Sequence, residues 1–415
     1  MKTVARRSSH LVIALLIGLA AVPPARAEAQ AGKASAWAPV VNAKPLGEHV
    51  RKGLGWIVEH QLPSGGWGQG EESAGMRGQA DLRDLANVGD TCAAVLALLR
   101  SGSTAAEGPY AEPIRRGLAF VCEEIERADR DSLYVTEIRG TRLQGKLGAY
   151  IDTFLASLVL AEVRGTLPTP AETARVEAAQ AKVMRKIEKN QREDGSFGGA
   201  GWANALSQGL AAKSVNRAAQ AGYEGSEVVR ERIERRALSR IDASSGRAAA
   251  DDAAGVELYA VGASLGTMQD SDNTNKERLK AVREQADKGD SPEIREQAQK
   301  ELERYEDTAK ALAATRAAVV ERLDDKAFVS GFGSNGGEEF LSYMNIGESL
   351  VVEGGEAWQK WDREISANLA RIQNEDGSWT GHHCITGRSF CTAAALLVLM
   401  TDRAPVPLSA GLTRR

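Results

Sequence analysis

The sequence predicts an all-α protein built from repeated helical hairpins, and a turn pattern that occurs three times is the first observation behind that prediction. Each copy has a glutamine, a glycine four positions later and an aromatic residue two positions further on. The copies are Gln61, Gly65 and Trp67; Gln191, Gly195 and Phe197; and Gln373, Gly377 and Trp379. A helical-looking segment precedes every copy, so the pattern marks the turn of a recurring unit.

The apolar segments of the chain repeat as well. A run of the form Thr-x2-Ala-x-Leu-x-Leu begins at Thr91, Thr153 and Thr392. Only 5% of the residues are aromatic, and alanine and leucine dominate the apolar set, a composition that favours helices over strands. The spacing of the copies divides into units of roughly 60 residues, which is typical of stacked repeats that bury a face only against their neighbours.

Residues 1–27 have the pattern of a secretory signal peptide. Basic residues come first, an apolar stretch covers residues 11–22, and Ala25-Arg26-Ala27 supplies small residues at a cleavage site. The Arg6-Arg7 pair would suit twin-arginine export, but polar residues follow it where that signal needs apolar ones, so general secretion is favoured. We therefore expect the mature chain to be periplasmic or secreted.

The rest of the chain divides by composition into a linker, a repeat domain and a tail. Residues 28–44 lack periodicity and predict a linker, residues 45–403 hold about six repeat units, some of them degenerate, and residues 404–415 form a short polar tail. Within the repeat domain, residues 269–325 are rich in Glu, Lys, Arg and Ala and predict an inserted charged helical hairpin, whose second helix begins at Ser291-Pro292. This hairpin is either a solvated pair, which we favour, or an arm that binds a partner.

The charge balance argues against one class of partner. The formal net charge is −4, so no basic surface for DNA or RNA is expected. After the signal segment, no stretch approaches the roughly 20 apolar residues that a membrane span needs. We therefore expect neither a nucleic-acid partner nor a transmembrane segment in the mature chain.

The first repeat resembles that of a known family. The segment over residues 52–67, which runs Lys-Gly-x2-Trp-Ile-Val-x2-Gln-x3-Gly-x-Trp, is similar to the Gln-Trp repeat of squalene and oxidosqualene cyclases and of protein prenyltransferase β subunits. With its degenerate copies, the resemblance covers most of residues 46–403. It implies an α/α toroid, a single ring of about six helical hairpins with inner and outer helices around a central apolar cavity.

The turn residues themselves have a structural explanation. Gly65, Gly195 and Gly377 can adopt backbone angles that are closed to other residues, and each glutamine can bond backbone groups left free at a helix end. Each aromatic ring can pack between hairpins. We therefore predict that the three copies hold the repeats together and take no part in catalysis.

Catalysis, on the resemblance, belongs to the starts of the inner helices. In the cyclases an Asp-x-Asp-Asp-Thr-Ala run there supplies the proton, and residues 87–92 of this chain read Asn-Val-Gly-Asp-Thr-Cys instead. Gly89 has no proton to donate, which argues against cyclisation and leaves enzymatic activity uncertain. Asp90 is the remaining candidate catalytic acid, and the favoured alternative is that it caps the helix.

The same resemblance suggests a zinc site. In the prenyltransferases an Asp-x-Cys pair and a later His bind zinc, and the resemblance places Asp90, Cys92 and Cys391 at those positions. His383, or its neighbour His382, would be the fourth ligand. Zinc is therefore the one cofactor that the sequence suggests, and the alternative is that the chain has none.

The cysteines have a second interpretation as disulfides. The chain has 4 cysteines, and an even number in an exported protein favours disulfides over a metal site. Three pairings are possible. We prefer Cys384 with Cys391, which closes a short loop, together with Cys92 and Cys122 on adjacent helices.

A glycine-rich polar segment over residues 331–339 precedes a further inner helix, which carries Tyr343 and Asn345. On a toroid this segment would contribute to the rim of the cavity, so Tyr343 and Asn345 are candidate substrate-binding residues. The alternative, which we favour, is that the segment is a degenerate copy of the repeat turn with a structural role.

Three functions are compatible with these features. The favoured hypothesis is a non-catalytic toroid that binds an apolar small molecule or a protein partner, because intact repeats accompany a lost acid motif. The second is an enzyme that acts on an isoprenoid or another apolar substrate through Asp90 or through zinc. The third is a polysaccharide-processing toroid, since several polysaccharide lyases share α/α toroids, although no pair of catalytic carboxylates can be assigned from the sequence.

Overall fold

α-Helices make up almost all of the regular structure. The computed structural model describes residues 40–73, 76, 82–199, 201–223, 225, 227–242, 245, 247–333 and 335–409. Their helices are α1 (Glu48–Glu59), α2 (Val88–Arg100), α3 (Ala111–Arg127), α4 (Arg142–Lys146), α5 (Ile151–Glu162), α6 (Pro170–Asn190), α7 (Asn204–Gln220), α8 (Glu227–Ser239), α9 (Glu257–Lys288), α10 (Pro292–Glu321), α11 (Lys326–Ser330), α12 (Gly337–Glu353), α13 (Gly355–Ile372) and α14 (Arg388–Leu399). Strands β1 (Ile241–Asp242) and β2 (Arg247–Ala248) form a small antiparallel sheet. The predicted signal peptide, most of the predicted linker and the tail from residue 410 lie outside the described residues.

Six helices form a closed inner ring. In ring order they are α2, α5, α7, α9, α12 and α14; each contacts the next, and α14 returns to contact α2. A second set, α1, α3, α6, α8, α10 and α13, packs on the outside. The described chain is therefore an α/α toroid of six helical hairpins, and the predicted fold class is confirmed. None of these helices combines the length and the apolar character that crossing a bilayer requires.

The burial of each helix matches its position in the rings. Every residue of α2 and of α5 is buried, because an inner helix is enclosed by two inner neighbours and an outer one. The outer helices α3 and α13 bury one apolar stripe and expose the opposite face, which is the pattern of an amphipathic helix at a protein surface. The pattern of apolar residues along each helix thus distinguishes inner helices from outer ones.

The repeated glutamines join neighbouring hairpins. The Nε2 atom of Gln61 donates to the carbonyl oxygen of Gly65 at 2.7 Å and to that of Pro113, in the first turn of α3, at 2.9 Å. The equivalent bonds in the other turns are Gln191 to Gly195 and Val229, and Gln373 to Gly377 and His49. Each glutamine therefore ties its own turn to the start of the next outer helix.

The repeated glycines allow the backbones to approach closely. Gly195 has a φ of +82°, and a Cβ atom there would lie 2.3 Å from the backbone oxygen of Arg232 in α8. The corresponding distances are 2.6 Å for Gly65 against Arg116 and 2.8 Å for Gly377 against Lys52. Both the backbone angle and the missing side chain are needed at these turns.

The aromatic residues of the turns are hydrogen-bonded as well as buried. Trp67 is fully buried; its Nε1 donates to the carbonyl of Ile57 at 2.7 Å, and its backbone N–H donates to the hydroxyl of Thr91 at 2.9 Å. Trp379 makes the same two contacts with Leu369 and Thr392. Thr91 and Thr392 begin two of the repeated apolar runs. The first residue of each of these runs therefore forms a hydrogen bond that holds a turn against an inner helix.

The last hairpin closes the ring onto the first. Gln373 donates to the carbonyl oxygen of His49 in α1 at 2.9 Å. Nearby, the backbone N–H of Lys44 donates to Asp402 at 2.7 Å. We call this contact zone between the first and sixth hairpins the seam.

The predicted charged helical hairpin is present, but its first helix begins within the ring. Helices α9 and α10 have 32 and 30 residues and pack against each other, but the first part of α9 is an inner helix, and residues 269–275 are buried within the ring. The outlying halves share a small core of Val282, Ala298 and Tyr305. Ser291 caps α10. The segment is therefore an extension of two ring helices. Because residues 269–275 stand at the start of a run of charged residues, nothing in the sequence indicates that they are buried within the ring.

A network of buried charges fills the ring at the carboxyl ends of the inner helices. It comprises Arg100, Glu162, Lys213, Arg217, Asp270 and Glu348. The ammonium group of Lys213 lies 2.8 Å from Asp270 and 2.6 Å from Glu348. Positive and negative groups are equal in number, so the network is balanced. The expected apolar cavity is therefore wrong for this half of the ring, which we call the charged end.

Residues 404–409, assigned from the sequence to a polar tail, pack across the charged end. Arg217 donates to the carbonyl oxygen of Pro405 at 2.6 Å, and the N–H of Leu408 donates to Gln220 at 2.8 Å. The side chain of Leu408 is buried. This part of the tail therefore covers one mouth of the ring.

Candidate functional site

The amino ends of the inner helices gather at the face away from the charged end. Acidic residues occupy the first turns of four of these helices: Asp90 in α2, Asp152 in α5, Glu257 in α9, and Glu338 and Glu339 in α12. Carboxylates are favoured there because the helix dipole places partial positive charge at an amino end. This face carries the candidate site.

Glu338 and Glu339 begin α12 and are both 0% exposed. Three groups surround Glu339. Its Oε1 accepts hydrogen bonds from the hydroxyl of Tyr259 at 2.5 Å and from the N–H of Phe332 at 2.9 Å, and its Oε2 lies 3.1 Å from Nε2 of His383. We call Glu338, Glu339 and His383 the acid group.

Glu338 is held by fewer contacts than Glu339. Its Oε2 accepts from the N–H of Ile385 at 3.3 Å, and its Oε1 has no hydrogen-bond partner among the described residues. Burial and, to a smaller extent, the adjacent Glu339 raise the pKa of Glu338 to about 7. Burial alone would lower the pKa of His383, but its contacts with Cys384 and Glu339 raise it to about 10. Burial thus favours the neutral form of Glu338, whereas the contacts with Cys384 and Glu339 favour the charged form of His383.

The glycine-rich loop before α12 lies directly against the acid group. A Cβ atom on Gly336 would lie 2.8 Å from Oε2 of Glu339 and 2.8 Å from a ring carbon of His383. A Cβ atom on Gly333 would lie 2.4 Å from the ring of His382. Only glycine permits this approach of the loop backbone.

Aromatic rings lead from the acid group to the protein surface. The ring of Phe332, which is 59% exposed, lies 5.1 Å from that of His383 and 5.5 Å from that of Trp202. Trp202 is half-buried and meets Tyr259 edge-on at 6.1 Å. We call Trp202, Tyr259 and Phe332 the aromatic row.

Asp90 lies in the first turn of α2 and is 1% exposed. Asn87, rather than Asp90, caps the helix: its side chain accepts from the N–H of Asp90 and donates to the Asp90 carboxylate at 2.7 Å. On the next inner helix, Asp152 accepts from the N–H of Gly89 at 2.8 Å. Burial, with smaller contributions from Asp152 and Glu72, raises the pKa of Asp90 to about 7. The predicted catalytic role of Asp90 stays a prediction.

Replacing Asp90 by asparagine is expected to stabilise the protein at alkaline pH. Between the ordinary pKa of 3.8 and about 7, the folded state keeps a proton on Asp90 that the unfolded state has lost, so the carboxyl group contributes less stability as the pH rises. Asparagine stays neutral and keeps an oxygen for Asn87. Relative to wild type, the free energy of unfolding in urea should rise by about 4 kcal/mol from pH 4 to pH 8.

The exposed Asp290→Asn variant is the matched control for this titration. Asp290 lies at the surface in the turn between α9 and α10, so its substitution should leave the pH dependence of stability unchanged. A difference between the Asp90 variant and wild type that is the same at pH 4 and pH 8 would show that ionisation of Asp90 has no influence on folding.

The zinc ligands suggested by the sequence do not form one cluster. Cys92 is enclosed in α2, where burial raises the pKa of its thiol well above the ordinary range, and a neutral thiol is a poor zinc ligand. Cys391 donates instead to the carbonyl oxygen of Ile385 at 3.3 Å. Among the described residues, the acid group is the one set of His, Cys, Asp and Glu side chains spaced to hold a metal. It takes only His383 from the predicted set.

All four cysteines are free thiols, so the predicted disulfides are wrong. Cys92 and Cys122 lie on adjacent helices without a bond between them, and Cys391 is turned towards Ile385. Cys384 contacts His383 and has a φ of +51°. Such a backbone angle is strained for a residue other than glycine and is found where surrounding structure fixes the local geometry.

The predicted substrate-binding residues make the contacts of core side chains. Tyr343 is fully buried; its hydroxyl donates to the carbonyl oxygen of Val329 at 2.7 Å, and its ring packs near that of Trp361. Asn345 is buried against Gly266 of α9. Their role in binding stays a prediction.

Sequence reasoning missed most of the site but not its location. The glycine-rich loop was identified as a possible rim, whereas Glu338 and Glu339 were read only as its polar end. One signal was present: like Asp90, the two glutamates begin an inner helix. Trp202 and Tyr259 gave no such signal, because neither belongs to a repeated motif.

The fold is shared with solved glycoside hydrolases. A structure of the α-1,6-mannanase GH76A of Salegentibacter sp. HEL1_6, an inactive variant with two consecutive aspartates substituted, in complex with α-1,6-mannotriose, matches 87% of this chain and 99% of its own, with 9% identity and a TM-score of 0.52. A second inactive variant, in complex with α-1,6-mannotetrose, matches 87% and 98%, with 11% identity and a TM-score of 0.50. No protein-family model and no curated protein matches the chain. Likeness at these identities shows the fold alone.

The family assigned from the Gln-Trp turns was wrong. The implied toroid is present, but the solved structures that match it are mannanases and not squalene cyclases or prenyltransferases. The contacts of Gln61 and Gly65 explain why: the pattern fastens one hairpin to the next and so indicates architecture rather than chemistry. The two hypotheses that rest on this family, a scaffold that binds an apolar ligand and an isoprenoid enzyme, are therefore wrong as well. The polysaccharide-processing alternative agrees better with the matching structures.

Proposed function

We propose that this chain is a glycan-processing enzyme that cleaves a glycosidic bond at the acid group. The observation that carries the proposal is the pair of consecutive carboxyl groups, Glu338 and Glu339, which begin an inner helix beside the aromatic row. The toroid shared with structures of an α-1,6-mannanase supports it. Because that enzyme binds α-1,6-linked mannose oligomers, such oligomers are the first substrates to test.

A sugar ring would lie against the aromatic row. One face of a pyranose carries mostly C–H groups, which pack well against an aromatic ring, while the hydroxyl groups remain free to form hydrogen bonds. Phe332 offers such a surface because 59% of it is exposed, and Trp202 lies beside it. Only the ring of Phe332, whose centre lies 5.1 Å from that of His383, would separate such a sugar from the imidazole.

The two carboxyl groups suit different roles. Hydrolysis needs an acid that protonates the leaving oxygen and a carboxylate that attacks the anomeric carbon or activates water. Glu339 suits the carboxylate because Tyr259, the N–H of Phe332 and His383 all surround it. Glu338 suits the acid because a single N–H holds it.

The separation of the two carboxyl groups favours a retaining mechanism. Oxygens of Glu338 and Glu339 lie within 4.8 Å of each other, which is less than the roughly 6.5–9.5 Å that an activated water requires. Glu339 would attack the anomeric carbon while Glu338 protonates the departing alcohol. Glu338 would then take a proton from the water that hydrolyses the glycosyl ester, which restores both groups.

Access to the acid group requires the glycine-rich loop to move. Both glutamates are fully buried, the N–H of Phe332 donates to Glu339, and the ring of His382 lies against that of His383. The flanking Gly331 and Gly333 give the backbone around Phe332 the freedom to change its angles. Closure over a bound sugar would exclude water from the acids before reaction.

Replacing either glutamate by glutamine should abolish cleavage. Glutamine keeps the shape of the side chain but can neither donate a proton nor attack, so Glu338→Gln and Glu339→Gln should each lower kcat/KM by about 1000-fold. Release of reducing sugar from α-1,6-mannooligosaccharides, followed by a panel of other glycans, measures this effect. Glu356→Gln, at an exposed position of α13, should retain wild-type activity. Wild-type activity in both glutamine variants, or no cleavage of any glycan by the wild type, would refute the proposed function.

A further inference from the structure

We propose that Glu338, Glu339 and His383 form a binding site for a divalent transition-metal ion. The inference concerns the side chains of the proposed active site, but it stands on their geometry and does not depend on glycan cleavage. One ligand atom from each of the three residues can be chosen so that all lie within 4.8 Å of one another.

Several buried polar atoms of the acid group lack hydrogen-bond partners. Oε1 of Glu338, Oε2 of Glu339 and both ring nitrogens of His383 have none among the described residues. Nε2 of His383 does lie 3.1 Å from Oε2 of Glu339, but the two atoms are not aligned for a hydrogen bond. The glutamates are 0% exposed and His383 is 8% exposed. Buried polar atoms without partners are unfavourable and call for an explanation, and a bound cation would give a partner to one atom of each of the three side chains.

The remaining oxygens of the glutamates are already anchored. Oε2 of Glu338 accepts from the N–H of Ile385, and Oε1 of Glu339 accepts from Tyr259 and from the N–H of Phe332. Contacts of this kind orient the ligands of protein metal sites and are a usual part of such sites. Each carboxylate thus has one oxygen fixed by protein and one left for an ion.

The donor set selects the class of metal. Two carboxylates and one imidazole suit Zn²⁺, Mn²⁺ or Fe²⁺, whereas Ca²⁺ takes six to eight oxygens and soft ions prefer sulfur. Three protein ligands leave a coordination position open, as in catalytic rather than structural zinc sites. The two carboxylates also balance the charge of a divalent ion. A sugar hydroxyl or a water molecule is the natural occupant of the open position.

Zinc titration of the purified wild-type protein tests the inference directly. Isothermal calorimetry after treatment with a chelator should show one Zn²⁺ bound per chain. Glu339→Gln and His383→Gln should each weaken binding by about 100-fold, whereas His382→Gln should change it less than about 3-fold because His382 lies outside the acid group. Circular dichroism of each variant separates loss of a ligand from loss of fold.

Cobalt gives a second readout that does not depend on affinity alone. Co²⁺ in place of Zn²⁺ should produce visible absorption bands of a four- or five-coordinate ion in the wild type and in His382→Gln. These bands should be lost in folded His383→Gln. No metal binding by the wild type, or binding that survives both the Glu339 and the His383 substitutions, would overturn the inference and leave the acid group as a buried ion pair.

The failure of this inference and that of the proposed function are distinguishable. Zinc binding is measured without a glycan, so a protein that binds zinc and cleaves no glycan keeps the metal site and loses the proposed function. A protein that cleaves a glycan and binds no zinc keeps the proposed function and loses the metal site. Because Zn²⁺ and the proton of Glu338 would use the same oxygen, bound zinc should suppress cleavage by the acid pair when both properties are present.

Discussion

Gly195→Ala is expected to lower the free energy of unfolding by about 4 kcal/mol. A Cβ atom at this position would lie 2.3 Å from the backbone oxygen of Arg232 and 2.7 Å from its carbonyl carbon, so α8 would have to move away from the turn. The φ of +82° adds the strain of a left-handed conformation. Because Gln191 bonds to the same helix through Val229, the displacement would also break that link.

Gly165→Ala separates the two contributions. Gly165 has a similar φ of +75°, but a Cβ atom there would meet nothing within 4 Å. This variant should therefore lose only about 1 kcal/mol through backbone strain. Both proteins can be compared by urea denaturation monitored by tryptophan fluorescence. Equal losses in the two variants would mean that contact between neighbouring hairpins at the turn adds nothing to stability.

Arg217→Met should destabilise the ring by about 3–5 kcal/mol. The guanidinium group lies 2.5 Å from Asp270 and 3.1 Å from Glu348 and donates to the carbonyl oxygen of Pro405 at 2.6 Å. Methionine fills a similar volume but carries no charge, so Asp270 would keep only Lys213 as a partner, and Glu348 would keep Lys213 and the more distant Arg100. Loss of a partner from a buried ion pair is more harmful than loss of the whole pair, because an uncompensated charge is left in the interior.

Lys300→Met provides the matched control for this network. Lys300 and Glu296 form an exposed pair one helical turn apart on α10, and such pairs contribute little because water screens them. This variant should therefore unfold at the wild-type urea midpoint. If Arg217→Met also unfolded there, the charged end would not hold the ring together, and its charges would need another role.

The ring was predictable because its fastening contacts recur in the sequence. Gln61, Gly65 and Trp67 act within one turn, against the helix before it and against the next outer helix. Since each copy meets the same geometry, the same residue types return at the same offsets. A pattern with this origin reports architecture, which is why it led to the right fold and to the wrong family.

The site was not predictable because it combines residues from non-repeating parts of the ring. Tyr259, Glu339 and His383 come from successive hairpins and Phe332 from a loop between them, and the packing of neighbouring hairpins brings them together. Consecutive residues of a helix ordinarily face directions about 100° apart. The sequence predicts Glu338 and Glu339 only as the end of a glycine-rich polar segment, whereas in the first turn of α12 both lie close to His383.

The charged end was hidden for a related reason. Asp270 stands at the start of a long run of Glu, Lys and Arg, which indicated a solvated helix. Its position in α9 is that of an inner residue, and its partners Lys213 and Arg217 come from the neighbouring inner helix α7. A charged residue that pairs with a neighbouring inner helix looks the same in a sequence as one that faces water. The two can be told apart only when it is known which helices are neighbours.

The seam makes the starting point of the chain arbitrary for the finished ring. Lys44 and Asp402 are hydrogen-bonded neighbours, so a linker that starts after residue 409, and so keeps residues 404–409 at the charged end, could lead back to Lys44, and new ends could be opened at an uncrowded turn such as that of Gly165. During synthesis the starting point does matter, because α1 must wait for the sixth hairpin before its inner face is covered. In a circular permutant a different hairpin would be made first and would stay partly uncovered until the last one is complete. The order of assembly would change, and the assembled fold would not.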